Sequence, residues 1–187
     1  MKSEGQSPLA SAGVADARDL PFDQRADAAL LFGPMYHLTE RGDRLAALVE
    51  ARRVLDKGAP LFVAAISFAA STLAGLASRL LEEKGFEAIT ERDIRDGQHR
   101  NPHEHPFFFT TSYFHRPEEL EAELRETGFD VENVVAVEGP AQLLRDIDHW
   151  LNDETRTQLL LDAIRRVESE PTLIGATAHL IAVARPR

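Results

Sequence analysis

The chain has 187 residues, 43% hydrophobic and 28% charged, a balance that supports one globular domain with a buried core and excludes a disordered or fibrous chain. With 31 acidic against 21 basic side chains the formal net charge is -10, a field that repels phosphate backbones and anionic lipid, so no nucleic acid and no membrane is expected as a partner. The absence of cysteine excludes disulfides, thiolate catalysis and every zinc site built on Cys, and fits a reducing, cytoplasmic setting.

Residues 1–12 are small and polar and read as a flexible lead-in, with no apolar stretch behind Lys2 to suggest a secretory signal. The apolar run from Ala26 to Phe32 stops at Gly33-Pro34, where proline cannot donate into a ladder, so residues 27–32 are expected to form a buried strand. From Thr39 onward Leu45, Leu48, Val49 and Leu55 recur at three- and four-residue spacing. Thr39 is placed to cap this helix and Gly58 to take a left-handed position past its last turn. Pro60 to Ile66 returns to an apolar, β-branched run, and strand, helix, strand in this order predicts a parallel pair with a right-handed crossover.

Leu61 to Leu81 has the length of a bilayer span, but it contains Ser67, Ser71, Thr72, Gly75, Ser78 and Arg79 and divides into a strand-like and a helix-like half. Residues 68–98 read as helical and 99–116 as loop. Pro117 opens a further helix with Glu118 and Glu119 at the positive end of its dipole, Leu120 and Leu124 facing inward and Gly128 as the stop. Val131 to Val137 reads as strand, Leu143 to Arg166 as helix broken near Asn152-Asp153, and Ala178 to Ala184 as a closing strand.

Several runs together carry a resemblance: Val14-Ala15-Asp16-Ala17-Arg18-Asp19-Leu20-Pro21-Phe22, Asp27 to Leu38, Arg52-Arg53-Val54-Leu55, and Tyr113 to Leu120 with Gly128-Phe129. From about residue 9 onward the chain resembles a class I S-adenosylmethionine-dependent methyltransferase of the broad small-molecule type. The resemblance implies an α/β fold: an incomplete Rossmann-like sheet, mostly parallel with an antiparallel last strand, as one partial domain over 13–187 with a helical cap inserted at about 68–112. It also implies S-adenosylmethionine as cofactor and a small-molecule methyl acceptor. The family's first strand, Gly-x-Gly-x-Gly turn and acidic ribose-binding residue have no counterpart in the sequence, so a truncated C-terminal part is expected. Its strand at 27–32 would then present an unpaired apolar edge, open to a second copy or a complementing chain. Two smaller departures are Ala15 where glycine is usual and Lys57-Gly58-Ala59 where the family has a Pro-Gly-Gly turn.

A carboxylate at the carboxyl end of a parallel strand lies where open sheets bind ligands, and it can accept from an adenine amino group; the competing role for Asp16 is to cap a turn. The resemblance assigns Asp16, Ala17, Leu20, Phe32 and Gly33 to the cofactor and Tyr36, His99, Arg100, Phe109 and Tyr113 to the acceptor. His37 is the candidate general base, since an imidazole with a pKa of about 6.5 suits proton abstraction at neutrality, although a structural histidine fits the same position. Methyl transfer is an in-line displacement that needs alignment more than covalent catalysis, so no invariant catalytic group is expected. The run His99-Arg100-Asn101-Pro102-His103-Glu104-His105 offers metal-type ligands, but nothing downstream completes a facial set, and it reads as acceptor-site lining without metal. Methyl transfer to a small molecule is thus the first functional expectation; a non-catalytic module that binds a partner through its strand edge is the alternative.

Overall fold

Seven apolar or small residues, Leu61–Ser67, form β2, the strand on which the others are assembled. In the computed structural model, which describes residues 11–102 and 104–187, β1 (Ala29–Phe32) pairs in parallel with the first half of β2. The 1–10 part of the expected lead-in and His103 lie outside the described residues. β4 (Ser112–His115) pairs in parallel with the last two residues of β2, and the two-residue β3 (Gln98–His99) runs antiparallel to β4. β6 (His179–Pro186) lies antiparallel along the other side of β2 and carries β5 (Phe129–Ala136) antiparallel in turn, with a bulge between Val131 and Asn133.

The mostly parallel sheet expected from the sequence is therefore corrected. β1–β2 and β2–β4 are parallel, whereas β2–β6, β5–β6 and β3–β4 are antiparallel. A reversed strand inserted between two others reverses both of its pairings, and β3 and β4 supply the third, where the sequence reading has the last helical residue, Gln98, and the loop 99–116.

The helices are α1 (Pro34–His37), α2 (Arg41–Val54), α3 (Ala70–Ser78), α4 (Phe86–Asp96), α5 (Pro117–Glu126), α6 (Ile147–Leu151) and α7 (Glu154–Arg165), with 3-10 turns at Leu80–Glu82 and Gly139–Leu143. β1 ends at Phe32 and α1 begins at Pro34, as the Gly33-Pro34 stop requires. The break at Asn152-Asp153 is a cap, with the Asp153 carboxylate accepting from the Arg156 amide at 2.9 Å. Thr39 does not cap α2; the position before the first turn is Glu40, and the Thr39 carbonyl is engaged by Arg44 at 2.9 Å. The apolar stretch 61–81 divides into β2, α3 and a 3-10 turn, and among the described residues no helix is long and apolar enough to cross a membrane.

One face of the sheet is fully packed. Leu61, Val63 and Ala65 alternate inward from β2 and meet Leu180, Ala182 and Ala184 of β6, Leu48, Ala51 and Leu55 at α2, and Leu120 and Leu124 of α5, all buried. On the opposite face Leu30 and Phe32 of β1 stand 67% and 53% exposed, and β1 pairs only with β2 among the described residues.

Between α2 and α5 the packed layer encloses a charge pair. The Arg44 guanidinium, 2% exposed, donates through Nη2 to Glu123 Oε1 at 2.7 Å and through Nε to Oε2 at 3.1 Å. Its Nη1 reaches the carbonyls of Leu38 and Thr39 at 3.2 and 2.9 Å, and its plane lies 3.6 Å over the Tyr113 ring. Burial pushes the Glu123 carboxyl up, but hydrogen bonds from His115 and Arg44 outweigh it and the net direction is down; burial drives His115 down against the opposing pull of Glu123. Removing one partner strands the other's charge, so Glu123→Leu should cost about 3–5 kcal/mol of stability in urea unfolding. The double variant Arg44→Met/Glu123→Leu should recover most of that loss.

Candidate functional site

In a sheet whose central strands run in parallel, the carboxyl ends are where the connecting chain diverges and leaves room for a ligand. Here that end opens into a cavity of about 440 Å³. Its floor is Ile66 and Phe114, the last residues but one of β2 and β4; Ala70, Ser71 and Ala74 of α3 and Phe86 of α4 form one wall, and Phe107 and Phe109 another. Tyr36 of α1, Gln142 and His179 complete the rim.

Two polar constellations border this space, and they differ in kind. On α4, Phe86, Ile89, Thr90 and Asp93 recur at helical spacing on the buried face, so Asp93 is carried into the interior. There its Oδ2 accepts from the Ser71 hydroxyl at 2.5 Å and contacts His99 Nδ1 at 2.9 Å. Gly97, at φ 68, turns the chain from α4 into β3 and brings His99 back beneath Asp93; a Cβ there would lie 2.4 Å from the Phe114 carbonyl oxygen. The other ring nitrogen of His99 faces the Phe109 carbonyl at 3.2 Å, and the ring stacks on Phe114 with centroids 4.6 Å apart. Both nitrogens of His99 are engaged by the protein, which makes it a brace between Asp93 of α4 and the backbone at Phe109.

The second constellation is open. Glu138, just past β5, and His179, at the start of β6, are brought together because β5 and β6 are antiparallel. His179 Nδ1 lies 2.6 Å from Glu138 Oε1, while Oε2 accepts from the His179 amide at 3.1 Å and the Thr177 hydroxyl at 2.8 Å. Burial pushes Glu138 up, but these hydrogen bonds prevail and hold it down to about 2; the bond to Glu138 raises His179 above its usual value. Neither residue stood out in the sequence. The available signal was a polar residue at the end of each of two neighbouring apolar strands, which counts only once the strands are known to pair.

The expected acceptor residues separate. Tyr36, His99 and Phe109 line the cavity. Arg100 lines a separate groove with Lys84 and Phe108 and donates to the carbonyls of His99 and Ser112 at 2.8 and 3.2 Å. Tyr113 is buried beneath Arg44, with its hydroxyl 3.4 Å from Glu119. His37 is exposed, its ring 4.7 Å from Tyr36, and is not part of the cavity lining. Among the described residues no group of three or more His, Asp or Glu is arranged to hold a metal ion, and His105 stacks on Phe108 at 4.0 Å.

On the expected cofactor side, Phe32 ends β1 and Gly33 follows it at φ 138, a conformation that disfavours any side chain. Asp16 does not end a strand, as the sequence suggested; it sits in a turn bridged to Asp19 and accepts from the Arg18 amide at 2.9 Å and its guanidinium at 2.7 Å. Those bonds to Arg18 lower the Asp16 carboxyl to about 2. Arg18 also pairs with Asp43 in the first turn of α2 at 3.1 Å, and Glu50 of α2 accepts from the Leu20 amide at 2.9 Å. Ala17, between these anchors, is half-buried.

No protein-family model and no curated protein matches the sequence. Solved structures do. An S-adenosylmethionine-dependent methyltransferase from Methanosarcina mazei aligns with a TM-score of 0.53 at 18% identity over 93% of this chain and 66% of its own. One from Thermotoga maritima, recorded as a possible histamine N-methyltransferase, aligns at 0.50 and 19% over 91% of this chain and 61% of its own. One from Clostridium acetobutylicum aligns at 0.50 and 8% over 93% and 63%. This chain spans less than two thirds of the length of each. These likenesses show the fold, a mixed α/β sheet of the Rossmann-like methyltransferase kind.

The Glu138–His179 pair has a defined pH signature. A raised His179 contributes stability that is complete below pH 6.5 and lost as pH rises through its folded midpoint; a depressed Glu138 contributes stability present above 4.5 and lost as pH falls toward 2. The pair should therefore stabilise most between 4.5 and 6.5, with the His179 imidazole titrating above 6.5 in proton NMR and returning toward that value in Glu138→Gln.

Proposed function

We propose that this chain forms the acceptor side of an S-adenosylmethionine-dependent methyltransferase acting on a small molecule. The observation that carries the reading is the apolar cavity at the carboxyl ends of β2 and β4, on a fold shared with such methyltransferases. The bound cofactor would supply an electrophilic methyl group on a sulfonium. The residues present fit part of that group. Gly33 offers bare backbone beside Phe32, and Asp16, ionised and 49% exposed, keeps room on its carboxylate for a further donor. Ala17 and Leu20 flank it on the strap tied to α2, and the glycine-rich loop of the family has no counterpart in the sequence. The protein's part in the chemistry is alignment: the phenylalanine walls offer apolar surface to the acceptor and Tyr36 stands at the cavity rim.

Calorimetric titration with S-adenosylhomocysteine tests this directly. Micromolar binding is expected, weakened at least about tenfold by Gly33→Val, because a β-branched residue cannot hold that backbone conformation. No heat from the folded wild-type chain would end the reading.

A second reading is favoured by the edge of β1, which pairs only with β2 among the described residues, and by the 67% exposure of Leu30 on its face: a module that binds another chain through that strand. It requires self-association or a stable heterocomplex in sedimentation, reduced by Leu30→Lys. A monomer that binds S-adenosylhomocysteine would exclude it.

A further inference from the structure

The geometry points to His179 as the general base of the cavity, serving an acceptor that is an aromatic hydroxyl. The two histidines on the cavity wall make the case by contrast. His99 has a protein partner on each ring nitrogen. His179 has one, Glu138 on Nδ1, and its Nε2 makes no hydrogen bond to any described residue. The Glu138 carboxylate is itself fixed by the Thr177 hydroxyl and the His179 amide. A carboxylate held in that position keeps the proton on Nδ1, leaves the Nε2 lone pair facing outward, and favours the charge the ring gains on protonation.

The walls define what the base would meet. Phe86, Phe107, Phe109 and Phe114 surround the space, and no Asp, Glu, Lys or Arg lines it among the described residues. A charged acceptor would meet no counter-charge on this lining, whereas a flat neutral ring gains edge and face contacts with the phenylalanines. A hydroxyl on such a ring carries the proton that the base needs. In the step assigned to His179, the O–H bond breaks, the proton passes to Nε2, the electron pair stays on oxygen, and the imidazolium is balanced by Glu138. The resulting oxyanion is the nucleophile that the methyl-transfer reading calls for, and only that last clause rests on it.

The test needs no cofactor. 4-Nitrophenol absorbs differently as phenol and as phenolate, and 4-nitroanisole has the same ring without the proton. Excess wild-type protein at neutral pH should shift bound 4-nitrophenol toward its phenolate spectrum. His179→Gln should abolish that shift and weaken its binding roughly tenfold, the scale of one hydrogen bond, while 4-nitroanisole binding stays within about twofold. Glu138→Gln, which keeps the ring but removes the charge behind it, should lower the phenolate fraction, and it decides the matter if circular dichroism shows His179→Gln unfolded. An unchanged phenolate fraction in the folded variants, or no binding of either probe at millimolar concentration to folded wild type, overturns the assignment. Phenolate capture without S-adenosylhomocysteine binding would leave the dyad standing and end the methyl-transfer reading; cofactor binding without capture would end this assignment alone.

Discussion

The Arg44–Glu123 pair is the constraint on which the site depends. A guanidinium buried in the layer between α2 and α5 must satisfy its donors, and it does so with one carboxylate and the two carbonyls that lead from α1 into α2. The segment carrying Tyr36 is thereby fixed against α5, and the ring of Tyr113 beneath the guanidinium fixes β4 in the same step. One charge thus ties the segment that follows Tyr36 and the strand that carries Phe114 to the same anchor. The contact is bidentate, a geometry that specifies position more than it adds net stability once desolvation is subtracted.

Above that frame the polar groups divide by saturation. Ser71, Asp93 Oδ2 and His99 bond one another deep in the wall while Asp93 Oδ1 stays buried without a partner, and these bonds hold α3, α4 and Phe109 together. Glu138 and His179 satisfy only one side of the imidazole. A saturated histidine has no lone pair or proton to exchange with a ligand, and a half-saturated one on the cavity rim does. The same residue type at two places in one cavity therefore has two different consequences, decided by which acceptors the backbone brings to Nε2.

The bare face of β1 belongs to the same picture. A strand of the parallel part of a sheet is apolar on both sides because both are meant to be covered, yet Leu30 and Phe32 are largely exposed. The solved structures that share the fold extend beyond what this chain spans. Gly33, where bound cofactor is proposed, follows directly on this face.

The sequence by itself determined the local elements. The Gly33-Pro34 stop, the Pro117 start, the inward Leu120 and Leu124, and the break at Asp153 are set by proline geometry, helical periodicity and capping, all of which act within a few residues. It also marked Tyr36, His99 and Phe109, which the structure gathers at the cavity, alongside Arg100 and Tyr113, which it turns elsewhere. Only the tertiary structure decided that β6 lies between β2 and β5, because periodicity records that a strand has a buried face and not which strand it pairs with. The same holds for the decisive polar pairs: Arg44 and Glu123 are separated by 79 residues, Glu138 and His179 by 41. Each partner read alone is an ordinary polar side chain; its chemistry arises from a neighbour that only strand order and helix packing could supply.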